Sequence, residues 1–573
     1  MKFLALPALL LLAPRALGFD ETLSVDAVAA PAASGSASVI ELQAHRQRTV
    51  GRVDGRERAA LTDLNPLQHG WYLLERMAAD GSVRRYHLQL PAPDRTRLAL
   101  DAADGSRLRI SGPSGERLCE LDADGVLASA AARALPYVPL CGHQLYLRKR
   151  LRGAETRLEN VTQFLRDRVW GGEALVDAVK SRLTDAEREE GVMHAARAVP
   201  SSSLDGPRSA RVAAEYAEAA PDTGRLGISV DAPDGLLTGR WYPTRAQRDV
   251  FVSAMLPAAV APEILARHLG SVNPLDQVER AALVYLVAFD LAQFDVGFAL
   301  GTEHPRVEWS PRAAAARGDS PWPGPDGFAS LAPLAMTGMV PPWHTADTIA
   351  TFIGGFKREH GAFKYGAFAH TQNGNHYGFV EQGVVLSSLK PGLATLYVLM
   401  DGSVRMGTWR ERDAVKLQLV RHARQNGVPL VERDRETGES APGLLVNRWG
   451  PGNWSGSSES SLRALRSGLC LATHGERRWL VYAYFSTATP SAMARVFQAY
   501  DCDYAMLLDM NALVHTYLAL YAQDDQALSV EHVVREMREA DPSAGGEPVP
   551  RFLAAPDNRD FFYLTRRGAS RAP

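Results

Sequence analysis

The chain has 573 residues, 63 basic and 65 acidic, for a net charge of −2, with 46% apolar and 22% charged residues. That length supports about two to four domains with full cores. The balanced charge, without a basic block or stripe, argues against a nucleic-acid partner.

Residues 1–18, MKFLALPALLLLAPRALG, combine a basic start at Lys2, an apolar run and an Ala16-Leu17-Gly18 end. This pattern predicts a secretory signal peptide cut before Phe19, and a secreted or periplasmic location. The apolar run is short for a bilayer, and the run at 281–301 is broken by Asp290, Gln293 and Asp295, so no membrane span is expected. The four cysteines fit an oxidising compartment. Cys119–Cys141 and Cys470–Cys502 are the simplest of the three possible pairings, with buried free thiols as the alternative.

Residues 19–66 contain AVAAPAASGSAS and read as a flexible N-terminus. Residues 67–150 read as a β-rich accessory domain. Asp80-Gly81, Asp104-Gly105 and Asp124-Gly125 each sit between strand-like runs, which predicts hairpins. At 151–194 the period changes. Leu158, Val161, Phe164, Leu165 and Val169, then Leu175, Val176, Val179 and Leu183, predict a pair of helices as a connector. Residues 195–225 are Ala/Ser/Pro-rich and read as a linker.

Residues 226–573 read as a larger mixed domain. Strands are expected at 283–291 and 294–300, followed by the polar cluster Thr302-Glu303-His304-Pro305-Arg306. A polar cluster at a strand end suits a site, and also suits a charged surface turn. The stretch 351–409 is dense in glycine, histidine and charge: His360, His370 and His376 lie near Lys357, Arg358, Lys364 and Glu381. It reads either as a site region or as a glycine-rich loop with solvated histidines. Residues 528–539, LSVEHVVREMRE, predict an amphipathic helix with Ser529 as its cap. Residues 557–567, DNRDFFYLTRR, read as a final strand or a contact surface. The expected fold class is α+β: an N-terminal β-rich domain, a helical connector and a larger mixed α/β domain.

The order of elements over about 280–520 resembles the phosphodiester glycosidase family. Residues 284–291, VYLVAFDL, are similar to its opening strand, and Thr351-Phe352-Ile353-Gly354-Gly355-Phe356 resembles its Asn-Gly-Gly-Phe motif. LYVLMDGSV at 396–404, Arg466-Ser467-Gly468, the strand at 478–484 and the helix at 491–500 follow in the family's order. Ala505-Met506-Leu507-Leu508-Asp509 resembles the strand before its Asp-Gly-Gly-Gly-Ser turn. Two departures stand out: Ile353 replaces the asparagine, and Met510-Asn511-Ala512 replaces the glycines.

The resemblance implies a hydrolase for a glycosidic or phosphodiester bond in a surface or extracellular saccharide. A binding protein without catalysis is the alternative. Cleavage needs a partner for phosphate and an acid or base. Arg466 is the candidate phosphate contact. The Gly354-Gly355 amides can cradle phosphate oxygens. Asp509, at a strand end, is the candidate catalytic carboxylate, with His360 and Glu381 as further catalytic candidates. Lys357, His376, His304 and Asn511 are candidate substrate contacts, and His515 lies near the Asp509 turn. A structural role is open for each. No serine-hydrolase elbow, zinc motif, P-loop or dinucleotide motif occurs, so no cofactor or metal is implied. The expected partner is a saccharide or sugar phosphate.

Overall fold

The structure, a computed structural model, describes residues 36–568 except 54–57, 102–103, 122–124, 156–160, 162–190, 196–205, 233–234, 304–327, 331–334, 357–377, 435, 449–460, 524–527 and 545. It corrects the expected α+β class. The protein is mostly β, 43% strand and 14% helical, built from several antiparallel sheets. The expected helical connector falls almost wholly outside the described residues, and strand Met193–Ala195 follows it.

The N-terminal sheet has six strands in the order Gln47–Arg52, Arg58–Asp63, Trp71–Met77, Val83–Gln89, Leu145–Arg148, Tyr137–Leu140. It begins inside the stretch whose composition reads as flexible. The Asp80-Gly81 and Asp104-Gly105 turns each join paired strands. Gly125 instead precedes a helix, Val126–Ala132, where three consecutive alanines carry high helix propensity. Cys119 is bonded to Cys141, and Cys470 to Cys502.

Two sheets carry the larger core. The first has eight strands, with Val284–Asp290, Arg477–Ala488, Ala464–His474 and Tyr504–Met510 at its centre. Helix Pro490–Ala499 packs on it, capped by the Thr489 hydroxyl, which accepts from Ala492 N at 3.2 Å. Every residue of that helix is buried. The second sheet has five strands: Phe294–Ala299, Phe561–Arg566, Thr348–Ile353, Leu518–Gln523 and Leu528–His532. Phe352 of this sheet meets Tyr482 of the first at 5.7 Å, which joins their apolar faces.

The strand Leu528–His532 stands where the spacing predicts a helix. It pairs along its length with Leu518–Gln523, and only Arg535–Ala540 forms a short 3-10 turn. The β-branched Val530 and the partner strand outweigh a weak helical periodicity. A third sheet, ordered Val384–Ser387, Phe379–Glu381, Val420–Gln425, Ala394–Leu399, Val404–Thr408, lies beside the core. Among the described residues, no helix is long and apolar enough to cross a membrane.

Candidate functional site

Antiparallel pairing brings several loops to one end of the five-stranded sheet. Phe561 pairs with both Ala299 and Ile353, and Phe352 pairs with Leu518. So the turn after Ala299, the Gly354-Gly355 turn, the segment before Phe561 and the turn before Leu518 are neighbours in space. Strand Tyr504–Met510 of the eight-stranded sheet ends beside them with Asp509.

Asp509 is buried. Its Oδ2 accepts from the Arg559 guanidinium, and its Oδ1 accepts from Met510 N at 2.8 Å. Arg559, also buried, sends Nη2 to His515 Nε2 at 2.7 Å. Because that nitrogen accepts, the proton of His515 sits on Nδ1 and points to the Met510 carbonyl at 3.0 Å. His515 and Asn511 are half-buried and form the outer edge of the cluster. Asn511 takes φ +82, a left-handed conformation that asparagine tolerates better than most residues. Its N–H donates to Leu465 O at 2.8 Å.

The segment carrying Arg559 is clamped by two further ion pairs. Arg551 grips Asp557 with two bonds, 2.7 and 3.1 Å, and reaches Val514 O at 2.9 Å. Arg424 donates to Asp560 at 2.6 Å and to Phe356 O at 2.6 Å. Between them, Asn558 is 1% exposed, and neither atom of its amide has a hydrogen-bond partner among the described residues. Gly301 lets the neighbouring backbone close in: a Cβ there would lie 2.3 Å from Asn558 O.

The Gly354-Gly355 turn joins this cluster. Gly354 N donates to Asp560 O at 2.8 Å. Asn426 links the turn to the Asp509 strand, accepting from Phe356 N at 3.1 Å and donating to Leu507 O and Leu508 O at 2.7 and 2.8 Å.

Of the residues proposed from sequence, the structure brings Asp509, Asn511, His515, Gly354 and Gly355 together. Glu381 lies in the adjoining sheet, with both oxygens engaged: Arg148 Nη2 at 2.7 Å and Leu300 N at 3.0 Å. It ties the N-terminal sheet to the first of the clustered turns. Arg466 pairs with Met510 in the sheet, and Met510 N also donates to Asp509, but among the described residues no hydrogen bond joins Arg466 to the Asp509 carboxylate. It donates to Ala488 O, Leu462 O and Met510 Sδ. Burial lowers its guanidinium from the ordinary value to about 9. Among the described residues no carboxylate reaches it by hydrogen bond. His304, Lys357, His360 and His376 lie outside the described residues.

Sequence reasoning missed Arg559, Arg551, Arg424 and Asn426. The one available signal was the charged DNRD run ahead of an apolar strand.

No protein-family model and no curated protein matches the chain. Among solved structures it is similar to the zebrafish N-acetylglucosamine-1-phosphodiester alpha-N-acetylglucosaminidase catalytic domain auto-inhibited by pro-peptide. The identity is 10% and the TM-score 0.29, over 66% of this chain and 89% of that one. It is also similar to a Burkholderia pseudomallei protein described as exported, at 10% identity and TM-score 0.22, over 69% of this chain and 89% of that one. A Synechocystis protein is similar at 9% identity and TM-score 0.21, over 91% and 99%. Likeness this distant carries no argument about activity.

Proposed function

We propose that the chain is an exported hydrolase acting on a glycosidic or phosphodiester bond of a surface or extracellular saccharide. One observation carries the reading: Asp509 with His515, Arg559 and the Gly354-Gly355 turn, from three separate stretches of the chain, meet at one end of a sheet. The grouping supplies the types such chemistry uses. Arg559 is a planar cation suited to a phosphate oxygen. Asp509 is a carboxylate for acid–base or electrostatic work. The two disulfides suit an oxidising compartment, which supports export.

An incoming phosphate would share Arg559 with Asp509. That competition loosens the ion pair and frees the carboxylate at the moment substrate is bound. The half-buried His515 and Asn511 offer the edge from which substrate would approach.

A second reading, saccharide binding without catalysis, is favoured by a specific feature. Both nitrogens of His515 are engaged, and Asp509 is already paired. The two readings separate in one assay. Purified mature protein is offered a panel of chromogenic sugar phosphodiesters, with Asp509→Asn and Arg559→Lys as variants. Turnover that falls about 10²- to 10⁴-fold in Asp509→Asn supports the hydrolase. Wild-type protein that binds but never turns over supports the binding reading.

A further inference from the structure

The turn Cys141-Gly142-His143 is unusual. Its three residues take φ of +52, +65 and +67 in succession, and two of them are not glycine. Left-handed backbone at non-glycine residues is held only where the surroundings fix it, and such positions collect at ligand-contacting sites. Here the Cys119 disulfide holds one end. At the other, His143 Nδ1 lies 3.2 Å from the Tyr146 hydroxyl.

What the turn presents is aromatic. The His143 and Tyr146 rings meet edge-on at 6.1 Å. Trp343 arrives from the larger domain and packs at 5.0 Å on Tyr146 and 5.6 Å on the buried Tyr137. His143 is exposed, Trp343 half-buried and Tyr146 buried, so His143 and Trp343 offer the accessible rings and Tyr146 backs them. Each of these rings carries a polar atom: an imidazole nitrogen, a phenol oxygen, an indole N–H. Ring faces suit the C–H face of a sugar, and the polar tips suit its hydroxyls. An aliphatic docking face would lack those tips.

The patch also runs on from the candidate site. Thr337 donates to the Tyr137 hydroxyl at 3.0 Å, and its neighbour Gly338 accepts from Asp557 N at 2.9 Å. One backbone hydrogen bond therefore links the Asp557–Arg559 segment to Gly338, which lies a few residues before Trp343 in the chain.

We propose that His143 and Trp343, backed by the buried Tyr146, form a saccharide-binding platform at the seam between the N-terminal sheet and the larger core, separate from Asp509. It would hold sugar units beyond the one at the Asp509 cluster. This rests on the saccharide reading above and gives the N-terminal domain a share in substrate recognition.

The test is calorimetric titration of the full mature chain with the soluble hexaoses of glucose, mannose and N-acetylglucosamine. Wild type is expected to bind at least one. His143→Ala, at an exposed position, and Trp343→Ala should each weaken that binding about tenfold or more. Trp343→Phe, which keeps the ring and drops the N–H, should fall between. No binding by wild type, or binding indifferent to His143→Ala, overturns the proposal. So does a dimer in sedimentation that His143→Ala dissolves while hexaose binding stays intact. A chromogenic monosaccharide phosphodiester, too short for the platform, reads the Asp509 cluster alone. If it is never turned over while hexaose binding responds to His143→Ala, the hydrolase reading falls and the platform stands.

Discussion

Arg559 donates to both Asp509 and His515, so the ion pair and the tautomer of His515 depend on one guanidinium. Removing one partner of a buried pair strands the other charge. Arg559→Leu is therefore expected to destabilise by about 3–5 kcal/mol, and the double change with Asp509→Asn by clearly less than the sum. Urea melts of the four-member cycle measure this; additive losses would show that the two residues do not act as a pair. Two other side chains, the half-buried His344 and the buried His422, set a pH response. Burial, then the Arg421 charge, lowers His344 from about 6.5 to about 4, and the same causes hold His422 well below its ordinary value. The unfolded chain thus takes up protons first as pH falls. Stability from these groups is full above about pH 6.5 and is lost on descending toward pH 4. Thermal melts from pH 7.5 to 4.5 should show a falling midpoint whose slope is reduced in His344→Gln; an unchanged slope would remove His344 from the account.

At the scale of elements, the Gly354-Gly355 turn illustrates how a motif earns its place. Gly355 takes φ +144, and a Cβ there would lie 2.8 Å from the Asn426 side chain. Asn426 is the link to the Asp509 strand. Gly355→Ala should therefore cost about 1–3 kcal/mol through overpacking, with backbone strain in addition, and should impair the site more than a distant change of equal cost. Melting and activity measured side by side decide it: loss of activity at unchanged stability would point to a direct role for the turn amides. The strand Leu528–His532 teaches the converse. The first residues of the 528–539 stretch, Leu528–His532 with Val530, became a sheet edge because Leu518–Gln523 offered backbone partners along its length. Local periodicity cannot register a partner strand that tertiary contact supplies.

Across the whole molecule, the N-terminal sheet is bound to the adjoining sheet by a buried ion pair. Arg148 stacks 3.7 Å over Trp71, donates to Gln89 at 2.7 Å and reaches Glu381 at 2.7 Å. Glu381 in turn holds the turn at Leu300. Glu381→Gln should lower stability by about 3–5 kcal/mol and separate a single calorimetric transition into two. A single, unshifted transition in that variant would mean the seam is held by other contacts.

The sequence by itself determined the hairpins at Asp80-Gly81 and Asp104-Gly105, the paired cysteines, the strand that delivers Asp509 and the glycine pair at its side. These are local signals, carried by turn chemistry, spacing and apolar runs that a chain displays without its partners. Arg559, Arg551 and Arg424 were not legible, because an arginine in a sequence looks alike whether it faces water or a buried carboxylate. Arg466 shows the same limit from the other side: a residue singled out for phosphate is enclosed by carbonyls and a methionine sulfur. The tertiary structure alone decided the mostly β class and which loops meet, since antiparallel pairing of strands hundreds of residues apart, as in Ala299 and Ile353 with Phe561, fixes which strand ends are neighbours. Charge pairing across those ends then selects the groups that form the site, and no local pattern encodes that choice.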